Sequence, residues 1–172
     1  LCFKKLYPDS EILIFEPDKD ALLMLKKNIE TNKIKKTMVY GVGLSDKKDT
    51  ISFQNSGTDG AKIDPQGNST ISIDRLSNFV DKTVDFMKLN IEGEEFNVLK
   101  ELEEANKLGL VKQMCVEWHS FAGQKQNLGE LLSILERNNF KYLINHFDYR
   151  INPRLKPPFK LSNKTQYYLL IY

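Results

Sequence analysis

The sequence predicts an α/β domain built on a mostly parallel sheet with an antiparallel last strand. Three observations carry that prediction. Apolar runs of strand length alternate with amphipathic segments of helix length, the pattern that builds a parallel sheet. The first run is continuously apolar, as in strands covered on both faces. At the end of the chain two strand segments follow one another with no helix between them, which allows an antiparallel return. The length of 172 residues is read as one domain over 1–172, with room for a sizeable core.

The elements follow in order. "LCFKKLYPDS" opens the chain as the tail of a helix. "EILIFEP" carries the apolar run Ile12 to Phe15, a strand ended by Pro17 and Asp18. "DKDALLMLKKNIETN" is a helix with Leu22, Leu25 and Ile29 on one face, acids at its positive end and Asn32 at its exit. "KTMVYGVGLS" is the next strand, "DKKD" a turn and "TISF" a short added strand. Residues 54–70 are polar and rich in Gly, Asn and Ser, a long loop. "STISIDRLSNFV" gives an extended piece and a short helix. "VDFMKLNI" is a strand, and "EEFNVLKELEEANKLG" a helix with Phe96, Leu99 and Leu102 inward and Gly109 at its exit. "VKQMCVEWH" is a strand. Leu128, Leu131, Leu132 and Leu135 then mark a helix. "KYLINHFDY" and "TQYYLLIY" are the last two strands, joined by a loop with three prolines at 152–160.

Composition excludes several classes. A net charge of +2 with scattered lysines lacks the concentrated basic face of a nucleic-acid binder. Cys2 and Cys115 lie far apart, without metal-like spacing or a disulfide framework, and Cys115 is expected as a buried reduced thiol. No apolar run approaches the roughly 18 residues of a membrane span, and no signal peptide is visible. The default compartment is therefore the cytoplasm.

In open α/β sheets, ligands bind at the carboxyl ends of strands, near the point where strand order reverses. The first strand delivers Glu16 there, and the second passes Gly41 and Gly43. The central strand ends in Asn90 and Glu92, and the next in Glu117 and His119. An acid placed like Glu16 accepts ribose hydroxyls of a nucleotide cofactor, or serves as a helix N-terminal charge with no ligand. "GVG" at 41–43 sits within a strand rather than opening a helix, so it fits local backbone accommodation better than a cofactor loop. His119 and Glu117 are two apart and face the same side of a strand end, as do Asn90 and Glu92. A histidine there can act as general base near neutral pH. The same set can bind a divalent cation, although none is predicted, or form a polar network that orients loops. His146 falls in a strand and is read as structural. Glu94 and Glu95 belong to the first turn of the next helix, where negative charge suits exposed amides, and Gly93 lets the backbone turn.

"IFEPDKDALLMLKKNIETN", "YGVGLSDKKDTISF", "STISIDRL", "VDFMKLNIEGEEFNVLK" and "CVEWHSF" occur in this order. In this the chain resembles the FkbM-type methyltransferases, from about residue 11 to its end. The resemblance implies a Rossmann-like class I methyltransferase fold with S-adenosylmethionine as cofactor and S-adenosylhomocysteine as product. It further implies methylation of a hydroxyl on a sugar, glycan or natural-product-like acceptor. By the same resemblance Glu16 would bind the cofactor ribose, and Pro17 and Asp18 would border the adenine. Gly43 and Asn90 are also expected on the cofactor side. Asp74 falls on the family's aspartate before the central strand, with Ile73 where a leucine is usual. Lys88, Glu92 and Gly93 match the central motif, and Glu117 and His119 the acid and histidine that end the following strand. Two departures stand out. The family usually has aspartate where this chain has Asn90, which keeps an acceptor oxygen and loses the charge. The family's first strand and Gly-rich loop should lie upstream of "LCFKKLYPDS" and are not in this chain, so the fold is expected to be N-terminally incomplete.

On this reading the enzyme aligns an acceptor oxygen with an activated methyl group. His119 is the expected base, with Glu117, Asn90 and Glu92 around it. The loops at 54–70 and 152–160 are candidates for acceptor selection or a lid. Two other readings stay open. A dinucleotide-dependent oxidoreductase would also use Glu16, although the adjacent final strands favour a methyltransferase sheet. A non-catalytic binding or scaffold module would fit Asn90.

Overall fold

The computed structural model describes residues 2–54, 62–63, 69–120, 125–146 and 167–171, and the chain divides into two compact units, Leu1–Asp74 and Arg75–Tyr172. The first unit opens with a short helix α1 (Cys2–Leu6), then β1 (Ile12–Phe15), α2 (Lys19–Thr31) and β2 (Thr37–Tyr40). β1 and β2 pair in parallel, from Ile12 opposite Thr37 to Phe15 opposite Tyr40. This is the βαβ unit that the alternation predicts. The Phe15 and Tyr40 rings stack with centroids 5.2 Å apart. Leu22, Leu25 and Ile29 of α2 are half-buried, as predicted, while Leu23 and Met24 on the other side are exposed. β1 itself is only half-buried at all four positions, not covered on both faces. Among the described residues its sheet holds two strands, and α2 has no fully buried residue, so little covers it.

The sequence predicts one strand across "KTMVYGVGLS"; the structure breaks it after Tyr40. A new strand, β3 (Gly43–Ser45), joins a different sheet with β4 (Asp49–Gln54), β5 (Lys62–Ile63) and β6 (Ser69–Arg75) in the order β3-β6-β4-β5. β4 is antiparallel to both β5 and β6. Gly41 stands at the break, where a Cβ would lie 2.9 Å from Leu22 Cδ2 of α2. Ile71 and Ile73 are buried, with Ile51 packed against them. Of the predicted loop over 54–70, residues 55–61 and 64–68 lie outside the described residues, as does the loop over 152–160.

The second unit contains β7 (Met87–Leu89), α3 (Glu95–Glu104), β8 (Met114–Ser120), α4 (Leu128–Arg137), β9 (Ile144–His146) and β10 (Tyr167–Ile171). Its sheet order is β7-β8-β10-β9. β7 and β8 are parallel, and β10 is antiparallel to both its neighbours, so this sheet is mixed and its last strand runs as the sequence predicts. α3 buries Val98, Leu99 and Leu102, α4 buries Leu131, Ile134 and Leu135, and Leu89, Val116, Trp118 and Ile171 of the strands are buried as well. Each such side chain contributes about 1.5–3 kcal/mol of transfer free energy. Cys115 is half-buried rather than buried, because it lies on the opposite face of β8 from Met114, Val116 and Trp118. Burial raises its thiol pKa, Lys88 opposes this and Glu117 adds to it.

The three longer helices end in one way. Lys33, Asn106 and Asn139 adopt left-handed φ values of 51°, 56° and 63°. After each, the chain returns an amide to a carbonyl five residues back: Ile34 to Ile29, Lys107 to Leu102 and Phe140 to Leu135. This is the Schellman closure, for which glycine is the usual residue. Gly109, predicted to end α3, instead lies in a 3-10 turn at Leu108–Leu110, and Asn106 takes its place.

Candidate functional site

In the second unit, β7 leads into a tight turn before α3. Asn90 is exposed, Glu92 has φ 54° and Gly93 has φ 109°. A left-handed glutamate is uncommon because its Cβ crowds the following carbonyl, and such residues gather at functional sites. Gly93 accepts its own positive φ without that crowding.

Glu95 explains how the turn is held. It occupies the first position of α3, yet its exposure is 0%. Its position shares a helical face with Val98, Leu99 and Leu102, so α3 carries the carboxylate inward with its apolar stripe. There Oε1 accepts from the amide of Ile91 at 3.1 Å, and Oε2 from the amide of Gly93 at 3.1 Å. Oε1 also receives His119 Nδ1 at 2.8 Å, and the His119 amide approaches Oε2 at 3.4 Å. Next to a buried carboxylate, Nδ1 is the donor.

His119 projects from β8, and its side chain has 0% exposure. Its Nε2 lies 3.6 Å from Glu92 Oε1 and 3.9 Å from Glu117 Oε1. Burial alone would lower the His119 pKa. The Glu95 hydrogen bond and the charges of Glu95, Glu92 and Glu117 outweigh it and hold the pKa above the ordinary 6.5. One imidazole thus stands among three carboxylates. The Glu92 and Glu117 side chains keep 24% and 23% of their surface exposed, while Glu95 is enclosed. Trp118, between Glu117 and His119, fixes β8 from the other face by donating Nε1–H to Asn127 Oδ1 at 2.9 Å, just before α4.

The remaining candidates lie in the first unit. Glu16 follows β1, half-buried, and its Oε1 accepts the Asp18 amide at 2.9 Å. Burial raises its pKa above the ordinary 4.5, the Asp18 amide opposes this, and the Asp18 charge adds to it. A carboxylate of this kind at a strand–helix turn has the acceptor chemistry that ribose hydroxyls need. Asp18 is the N-cap of α2, its Oδ1 accepting the amides of Asp20 and Ala21 at 3.0 and 2.8 Å. Pro17 is half-buried against Gly43: a Cβ on Gly43 would lie 3.6 Å from Pro17 Cβ and 3.3 Å from Ile73 Cγ2. Gly43 is therefore filled in by packing, not left as an open cradle. Asp74 is buried, with Lys48 Nζ 3.6 Å from its Oδ2.

The structure brings His119, Glu117 and Glu92 together and leaves Asn90 exposed beside them. It adds Glu95, which the sequence reading treats as a helix-dipole acid. Among the described residues, no cluster of three or more His, Cys, Asp or Glu is arranged to hold a metal ion. No helix among them is long and apolar enough to cross a membrane.

Residues 3–142 match the family model described as Methyltransferase FkbM domain. The crystal structure of methyltransferase FkbM from Methylobacillus flagellatus KT is similar, with a TM-score of 0.61 at 17% identity. The alignment covers 99% of this chain and 39% of that one, and at such identity the likeness is one of fold. No curated protein matches the chain.

Proposed function

The chain belongs to the FkbM methyltransferase family, and from that premise we propose that it transfers a methyl group from S-adenosylmethionine to a hydroxyl of a sugar, glycan or natural-product-like acceptor on a Rossmann-like class I framework. The observation that carries this reading is the carboxylate–histidine cluster at the carboxyl ends of β7 and β8, built around a strained Glu92. When bound, S-adenosylmethionine supplies a methyl group activated on a sulfonium.

Each residue then has a role. Glu16 accepts hydrogen bonds from the ribose hydroxyls. Pro17 borders the adenine, with Asp18 setting the start of α2 beside it and Gly43 giving Pro17 its room. Asn90 offers an amide oxygen and two N–H donors for positioning by hydrogen bonds. Glu92 and Glu117, partly exposed, reach the acceptor, and one of them takes the hydroxyl proton as the methyl group moves. His119 is enclosed, its pKa held above the ordinary 6.5 by the carboxylates around it, and its role here is positional and electrostatic: its Nε2 faces Glu92 and Glu117 and keeps them in place. Acidic groups also complement a cationic cofactor electrostatically.

A thermal-shift titration with S-adenosylhomocysteine tests the reading. Binding at one hundred times Kd stabilises a protein by about 2.7 kcal/mol, so a clear rise in Tm is expected, and it should be lost in Glu16→Ala. No shift at millimolar ligand would sink the proposal in favour of a non-catalytic module, the reading that the uncharged Asn90 supports.

A further inference from the structure

We infer that Glu95 is a positioning residue of this site: its carboxylate clasps the Ile91–Gly93 turn to the His119 imidazole and so fixes where Glu92 and Glu117 stand. The clasp rests on the methyltransferase reading only for its consequence in catalysis.

An acid in a first helical turn is ordinarily a solvated charge that complements the helix dipole. Glu95 differs in two respects. It is fully enclosed, and it is bonded from outside its own helix. Its partners are Ile91 and Gly93 on the incoming turn and the amide and Nδ1 of His119 on the neighbouring strand. The turn before α3 and the end of β8, 24 residues beyond Glu95, therefore meet on one carboxylate.

The geometry has a directional consequence. With Nδ1–H committed to Glu95, the ring is oriented and Nε2 is turned toward Glu92 and Glu117. With the Ile91 and Gly93 amides committed to the same group, Glu92 between them is held in its left-handed conformation. Both carboxylates that touch the acceptor are thus placed through a residue that touches neither acceptor nor cofactor. The charged groups that act on the imidazole are Glu95 from α3, Glu92 from the turn after β7 and Glu117 from β8 itself, while β10 pairs with β8 at His119 through Tyr168.

The test compares the wild type with Glu95→Gln, which keeps the shape and removes the charge. Nuclear magnetic resonance follows the imidazole of His119, and hydrogen exchange follows the amides of Ile91 and Gly93. In Glu95→Gln the His119 titration should move to lower pH, its Nδ1 proton should lose its downfield position, and the two amides should exchange at least about tenfold faster. A helix-dipole acid would shift none of these. A folded Glu95→Gln with unchanged His119 titration and unchanged exchange overturns the clasp. Where the variant does not fold, the wild type decides: a protected, downfield Nδ1 proton and slowly exchanging Ile91 and Gly93 amides are expected, and their absence overturns it. Neither readout needs a ligand, so failure here is distinct from failure to bind S-adenosylhomocysteine.

Discussion

Removing the Glu95 side chain should be among the most costly single changes in the second unit. Glu95→Ala leaves the amides of Ile91 and Gly93 without the acceptor they now have, and leaves His119 Nδ1 facing a cavity. A buried donor stripped of its partner costs about 1–3 kcal/mol, and breaking a buried charged pair by removing one member costs about 3–5 kcal/mol. These contributions share one carboxylate and do not add independently. With Glu95 at 0% exposure there is no solvent to soften the loss. The expected destabilisation is therefore about 3–5 kcal/mol, a large share of the roughly 5–15 kcal/mol that holds an ordinary domain together. Urea unfolding at neutral pH, followed by the fluorescence of Trp118, measures it directly. Glu95→Gln, which still offers one acceptor oxygen but turns an NH2 group toward other donors, should lose less. A value below about 1 kcal/mol for Glu95→Ala would refute the reasoning, because it would mean that the carboxylate behaves as a surface charge.

Three further outcomes are expected. The His119 pKa is raised on folding, so its contribution is fully present below the unfolded value and is lost as pH rises through the folded one; thermal midpoints measured from mildly acidic to mildly alkaline pH should fall across that window, and His119→Gln should flatten the slope. Asp18→Ala removes the cap of α2 and should cost about 1 kcal/mol, read from a chemical unfolding curve, with Asp18→Asn recovering most of it. Gly43→Ala forces a methyl group to 3.3 Å from Ile73 Cγ2, an overpacking that costs about 1–3 kcal/mol, partly offset by about 0.4–1 kcal/mol from a stiffer unfolded chain; a lowered Tm is expected, and a raised one would show that Ile73 yields freely.

Much of the fold was legible because hydrophobic period and strand order are local or additive signals. The half-buried face of α2 at Leu22, Leu25 and Ile29, and the antiparallel β10, follow from spacing alone. What failed depends on partners far away in sequence. At the break after Tyr40, a Cβ on Gly41 would meet Leu22 of α2, a neighbour that no window around "YGVG" reveals. The end of α3 was assigned to Gly109 on residue preference, whereas Asn106 accepts the left-handed conformation three residues earlier. Glu95 was the costliest miss for the site. A signal was available: the spacing 95, 98, 99, 102 puts a glutamate on the apolar stripe of its own helix. A carboxylate on that stripe must find donors or remain unformed as an ion, and the amides of the turn and the His119 ring supply them.

Asn90 bears on whether this cluster is machinery or only scaffold. The missing charge sits at an exposed position, where an added carboxylate would be screened by water. The enclosed part of the cluster, Glu95 with His119, is intact without it. A fold kept only for its shape has little reason to maintain that part: well-packed apolar residues at buried ion-pair positions are often as stable or more so. Glu92 is held left-handed beside it, a conformation that Lys33 also takes at the plain end of α2. Together the enclosed pair and the turn hold two partly exposed carboxylates beside one imidazole. On the proposed methyltransferase reading, that arrangement can take a proton from an acceptor hydroxyl, a use that does not depend on an acid at position 90.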